Sequence, residues 1–248
     1  MLVHGFTDTW RTWELVLPAL ERHHEVLALT LPGHAGGPSL REPVANRMLA
    51  DAVEAAMDEA GWATAHVAGN SLGGYVALQL AERGRARSVV ALAPAGGWAH
   101  DDHSWREVLG YFVGMQDQVR QVAPHAAAVA ANPNGRRAAT QMITVRWEHL
   151  GAPLVEHLIV GAARCDGAAT LIANATEHGW PLDPARVDCP LRFVWGRDDQ
   201  LLRWPGAAAG FRAAFPTAEW IELDGVGHCP QLDVPLETAQ LILGQTAS

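Results

Sequence analysis

The chain has 248 residues, nearly half of them apolar, and a formal net charge of −9. That length suits one large domain, or one domain with a sizeable insertion, and the apolar content can bury a full core, which excludes a disordered chain. The acidic balance excludes an electrostatic footprint for nucleic acid or for an anionic membrane surface. The three cysteines, Cys165, Cys189 and Cys229, are far apart, odd in number and form no CxxC. No disulfide framework is expected, and a reducing cytoplasmic location is the simpler reading. No apolar run reaches the roughly 18 residues of a membrane span, and the N-terminus lacks the basic-then-apolar pattern of a signal peptide.

In chain order, Met1 to Val3 reads as the tail of a strand that runs into His4-Gly5-Phe6. Trp10, Trp13, Leu17 and Leu20 are spaced by three and four, which predicts a helix over Trp10 to Leu20. Glu25 to Leu31 predicts a strand ending at the turn Pro32-Gly33, and Pro43 to Ala60 a helix capped by Gly61. Ala65 to Gly69 predicts a buried strand, Leu72 to Arg83 a helix stopped by Gly84, and Ser88 to Ala93 another strand.

From Gly97 to Asp183 the segment is rich in Ala, His and Trp at helical spacing, and it is far too long for a plain loop. It is expected to be an inserted helical cap (residues 97–183), with Ala126 to Ala131 as one of its helices, on a core made of residues 1–96 and 184–248. Alternation resumes with a strand over Leu191 to Trp195 and a helix to about Phe215. A strand over Trp220 to Leu223 and a last helix over Leu236 to Leu243 follow. Strands alternating with helices predict an α/β fold, a mostly parallel sheet covered by helices on both faces.

Gly69-Asn70-Ser71-Leu72-Gly73, followed by Gly74, matches G-x-S-x-G between a predicted strand and a predicted helix. The motif needs that context: the serine must sit on a strained turn, and small neighbours relieve the clash between strand and helix. The bland reading is a Gly-rich turn with a capping serine. A serine hydroxyl is a weak nucleophile until a base takes its proton. Asp199, in Gly196-Arg197-Asp198-Asp199, and His228, in Gly225-Val226-Gly227-His228, each follow a predicted strand. In a parallel sheet both therefore fall on the same edge as Ser71, where open α/β sheets place their ligands.

These pieces, taken in order, resemble the α/β-hydrolase superfamily along the whole chain. The matching elements are His4-Gly5-Phe6, Leu31-Pro32-Gly33-His34, the Ser71 elbow, Trp195-Gly196-Arg197-Asp198-Asp199 and Gly227-His228. The resemblance implies Ser71 as nucleophile, His228 as base and Asp199 as the acid that orients it, with Asp198 in reserve or else a solvated or loop-bracing carboxylate. It implies oxyanion donors in the backbone N–H groups of Phe6 and Leu72, and a bracing role for His4. No metal and no organic cofactor is implied. Cys229 reads as a small buried residue rather than a nucleophile. The six histidines of the cap (His100, His103, His125, His149, His157, His178) show no metal-ligand spacing.

The expected activity is hydrolysis of a carboxylic ester of small to medium hydrophobic character. The cap tryptophans Trp98, Trp105, Trp147 and Trp180 offer an apolar pocket wall or, equally, packing between cap helices. Carbon–carbon, lactone or thioester hydrolysis and peracid chemistry use the same residues, and a ligand receptor on the same fold is the non-catalytic alternative. Family members carry two strands ahead of the His-Gly loop, whereas three residues precede it here. Either the start is truncated or the sheet has about six strands, and a homodimer is one way to cover an exposed edge.

Overall fold

The computed structural model describes residues 1–41, 44 and 47–247. Among these, β1 is Leu2–Val3, followed by a 3₁₀ turn at Trp10–Trp13, α1 (Leu17–Leu20) and β2 (Ala28–Leu29). Helix α2 (Met48–Glu59) leads to β3 (Ala65–Asn70), α3 (Leu72–Glu82) and β4 (Ala86–Leu92). Five helices come next: α4 (Trp105–Val122), α5 (Ala126–Ala131), α6 (Pro133–Thr140), α7 (Ala152–Ala163) and α8 (Ala168–His178). The chain closes with β5 (Leu191–Gly196), α9 (Ala209–Ala214), β6 (Glu219–Leu223), α10 (Pro230–Asp233) and α11 (Pro235–Thr246).

The strands form one six-stranded, all-parallel sheet in the order β2-β1-β3-β4-β5-β6. Strand residues alternate between its faces. Val67, Val89, Ala91 and Phe193 join Val53, Met57, Val76 and Phe211 from α2, α3 and α9. Ala68, Val90, Leu92 and Val194 join Trp13, Val16, Leu20, Ala239 and Ile242 from the N-terminal turn, α1 and α11. Both faces are thus covered by helices. No helix among the described residues is long and apolar enough to cross a membrane.

Three expectations are corrected. The helix foreseen over Trp10 to Leu20 is broken into the 3₁₀ turn and the short α1. Pro18 has no N–H to offer Glu14, so it begins a helix rather than continuing one. Trp13, Val16 and Leu20 are buried all the same, so the apolar spacing marks a core face without a continuous helix. The strand foreseen over Glu25 to Leu31 keeps only Ala28–Leu29, because its sole partner, β1, is itself two residues long. The helix foreseen from Pro43 starts at Met48; Pro43, Ala45 and Asn46 lie outside the described residues.

The strand order decides where a site can form. The chain proceeds outward to β2 from β1, then returns to β3 on the other side of β1. The helices after β1 and β3 therefore cover opposite faces, and a crevice opens between the C-terminal ends of these two strands.

Candidate active site

Strand β3 delivers Ser71 to that crevice. Its φ of 55° and ψ of −117° lie where L-residues are strained. The bend is pinned on both sides: the Ser71 N–H donates to Leu92 O at 2.9 Å, and its carbonyl accepts from the N–H of Tyr75 (3.1 Å) and of Ala95 (3.0 Å). Strand and helix approach so closely that only glycine fits around it. A Cβ on Gly69 would collide with the Gly73 carbonyl, one on Gly73 with the Val3 carbonyl, and one on Gly74 would lie 2.8 Å from Pro94 Cβ.

The register Val3↔Gly69 carries Phe6 past the end of β1 alongside Leu72. Leu72 opens α3, so its N–H has no carbonyl one turn back. Among the described residues neither it nor the Phe6 N–H has a hydrogen-bond partner. Thr7, next in this loop, also has a positive φ (62°). His4 holds the loop from beneath. Its Nε2 accepts from the Leu31 N–H at 2.9 Å, so its Nδ1 carries the proton and donates to Gly5 O at 2.7 Å. Burial, together with neighbouring His34, pushes the His4 pKa well below its ordinary value, which keeps that tautomer neutral.

His228 and Asp199 meet at the same edge. His228 Nδ1 donates to Asp199 Oδ2 at 2.7 Å, with both residues buried. The other carboxylate oxygen, Oδ1, accepts the N–H groups of Leu201 and Leu202, each at 2.8 Å, so the carboxylate is fixed in position. His228 Nε2 has no hydrogen-bond partner among the described residues, the Ser71 hydroxyl included, and both residues line one cavity. Asp198 is exposed instead and accepts the Gly225 N–H at 2.9 Å.

Several contacts in and around the site have no local signal in the sequence. Asn70 Nδ2 donates to the carbonyls of His228 (2.9 Å) and Leu92 (3.1 Å), tying the histidine loop to the elbow. Its Oδ1 accepts from Gln231 Nε2 at 3.1 Å and from the Cys229 thiol at 3.3 Å. Gln231 reaches on to Thr12 Oγ1 at 3.1 Å. Burial, with Asp8, Asp233 and Asp199 nearby, pushes the Cys229 thiol well above its ordinary pKa, so no thiolate forms there. Asp233 accepts the N–H groups of Gly227 (2.6 Å), Val145 (2.9 Å) and Arg146 (2.8 Å), bracing the loop that carries His228. Asp8 lines the cavity beside Ser71 and His228. Burial raises its carboxyl pKa to about 6, against hydrogen bonds from Thr9 and Thr12 that pull it down.

Two chambers meet at Ser71. One is apolar, walled by Tyr75, Trp98, Trp105, Leu109, Leu171 and Trp180. The other holds His228, Asp8, Met115, Gln118, Met142 and Ala162. Phe6 and Phe112 line both, with their rings edge to face at 4.8 Å. Of the four tryptophans of residues 97–183, Trp98, Trp105 and Trp180 line the apolar chamber and Trp147 packs among α5, α7 and their neighbours. The six histidines of residues 97–183 line neither chamber; two make structural bonds, His157 with Thr9 Oγ1 (2.7 Å) and His149 with Leu232 O (2.7 Å).

Residues 1–241 match the alpha/beta hydrolase family. The chain is 31% identical over 200 residues to the epoxide hydrolase EphH of Mycobacterium tuberculosis, covering 80% of this chain and 94% of that one. It is 29% identical over 251 residues to the dihydrolipoyllysine-residue acetyltransferase component of the acetoin cleaving system of Pseudomonas putida, spanning 98% of this chain but only 62% of that one. Among solved structures it superposes on a membrane phospholipase A, described as a bacterial virulence factor, with a TM-score of 0.78 at 23% identity. That match covers 99% of this chain and 77% of the other. The chain is a hydrolase and belongs to the alpha/beta hydrolase family.

Proposed function

We propose that the protein hydrolyses carboxylic esters through an acyl-enzyme on Ser71. The observation that carries this reading is the buried His228–Asp199 pair, with Nε2 left unpartnered and His228 lining the same cavity as Ser71. In this mechanism His228 takes the Ser71 proton as Oγ attacks the acyl carbonyl, and Asp199 stabilises the imidazolium. The Phe6 and Leu72 N–H groups receive the oxyanion; one such donor is typically worth about 10²–10³ in kcat. His228 then returns the proton to the departing alcohol, and water, activated by the same imidazole, cleaves the acyl-enzyme.

A relative is named an epoxide hydrolase, and the nucleophile bears on whether that activity transfers. A serine oxygen that opened an epoxide would leave an ether, which has no carbonyl for water to attack. A serine that attacks an ester leaves an acyl-enzyme, which water can cleave. Ser71 therefore supports an acyl substrate.

The chambers orient it. The departing alcohol must lie within reach of His228, in the chamber that holds this residue. The acyl chain then occupies the apolar chamber of Tyr75, Trp105 and Trp180, which suits a small to medium hydrophobic acyl group. Residues 97–183 act in this reading as a cap that selects the substrate, over a catalytic core of residues 1–96 and 184–248. Release of p-nitrophenol from acyl esters of increasing length, by the natural protein and Ser71→Ala, tests the proposal. Activity is expected in the first and not in the second; equal rates would exclude Ser71 as nucleophile.

A further inference from the structure

The segment Thr7 to Arg11 has no part in the steps above, yet it places one carboxylate where substrate must lie. Asp8 is the only Asp, Glu, Lys or Arg among the described residues that line the chamber of His228. The rest of that wall is largely Met, Val, Ile, Leu, Ala and neutral polar side chains. Asp8 forms no ion pair among the described residues. The nearest cation in sequence, Arg11, is held by Glu14 at 2.7 Å. Its hydrogen bonds are to neutral groups, the Thr9 N–H on Oδ1 at 2.8 Å and the Thr12 side chain.

The position is rigidly held. Thr9 caps the turn Trp10–Trp13, and its hydroxyl is hydrogen-bonded to His157 on α7 at 2.7 Å. A half-buried carboxylate in such surroundings has hydrogen bonds but lacks the cationic partner that buried charges ordinarily have. A ligand can supply it.

We propose that Asp8 is a specificity-determining residue that receives a protonated amine on the alcohol portion of the substrate, so that the preferred substrates are esters of amino alcohols. The inference rests on the ester-hydrolase reading, because that reading puts the alcohol in the His228 chamber. Burial raises the Asp8 pKa to about 6, so at neutral pH the group is still a carboxylate, though one poorly solvated by the protein. An ammonium ion docked against it gains a charge-assisted hydrogen bond. The net charge of −9 favours the approach of a cation over that of an anion.

The test uses two butyrate esters with the same heavy-atom skeleton. One is 3-(dimethylamino)propyl butyrate, protonated near neutral pH, and the other is the neutral 4-methylpentyl butyrate. The natural protein is expected to favour the ammonium ester by about tenfold in kcat/KM, the scale of a single charge-assisted hydrogen bond. Asp8→Asn should bring the two esters to parity while the neutral ester is still turned over. A purely structural role for Asp8 would lower both esters by the same factor, and that result overturns the proposal, as does parity in the natural protein.

A binding measurement separates this inference from the reading beneath it. Calorimetry on Ser71→Ala, which retains Asp8, should show the ammonium ester bound about tenfold tighter than the neutral one. If neither ester is hydrolysed by the natural protein but this ratio holds, the ester reading fails and the Asp8 site stands. If esters are hydrolysed and the ratio is one, the Asp8 site fails alone.

Discussion

Asp198 and Asp199 are adjacent, and what separates them is what their oxygens touch. Asp199 is buried, with one oxygen on His228 Nδ1 and the other on two backbone N–H groups. Asp198 is exposed and accepts one N–H from Gly225. Asp199→Asn leaves the shape intact but presents the wrong group to Nδ1, so kcat on a p-nitrophenyl ester should drop by about 10⁴. Asp198→Asn should stay within a few-fold of the natural protein. Comparable losses in both would mean that the His228–Asp199 contact is structural only.

Asp8 gives a stability prediction of its own. Its folded-state pKa, about 6, lies above the ordinary carboxylate value of 3.8. Between those two values the folded chain binds more protons at this site than the unfolded chain, so the contribution of Asp8 becomes less favourable as pH rises through the window. Above it, the carboxylate penalty is present in full. Asp8→Asn should therefore melt higher than the natural protein at pH 7.5. The gap should close as pH falls towards 4, and a gap independent of pH would contradict the assignment.

At the scale of elements, α4 carries two glycines that packing does not explain. A Cβ on Gly110 or Gly114 would meet nothing within 4 Å, and both lie exposed in the interior of an 18-residue helix. Each glycine lowers helix stability by roughly 1 kcal/mol relative to alanine. Gly110→Ala and Gly114→Ala should each raise thermal stability. A loss of stability in either variant would show that the backbone there needs a glycine.

The elements also show what a sequence can carry. Strands β3 to β6 lie within about two residues of the reading from apolar runs, because the buried middle of a parallel strand is apolar on both faces, while the starts of β4 and β6 are not. The extent of β2 was not legible, since it depends on the length of β1. Ser71, Asp199 and His228 are candidates on the strength of glycines and of their place after strands. The contacts of Asn70, Gln231 and Asp233 carry no such signal, because their bonds reach partners 158, 161 and 88 residues away and no local spacing encodes such a contact.

On the scale of the whole molecule, one line of residues divides the crevice. The reversal of strand order between β1 and β3 sets Phe6 beside the Ser71 elbow. Helix α4 crosses above with Phe112 against Phe6, so the acyl and alcohol portions of an ester would lie on opposite sides of the two rings. If so, the two ends of a substrate are selected independently. Leu109→Trp narrows only the apolar chamber, and Ala162→Leu only the His228 chamber. The first should cut kcat/KM for long acyl chains by about tenfold or more relative to acetate, the scale of a few displaced methylenes, with the ranking of alcohols unchanged. The second should do the reverse, penalising bulky alcohols at a fixed acyl group. Profiles measured over a grid of acyl and alcohol lengths decide the matter, since a single shared pocket would make either substitution shift both profiles together.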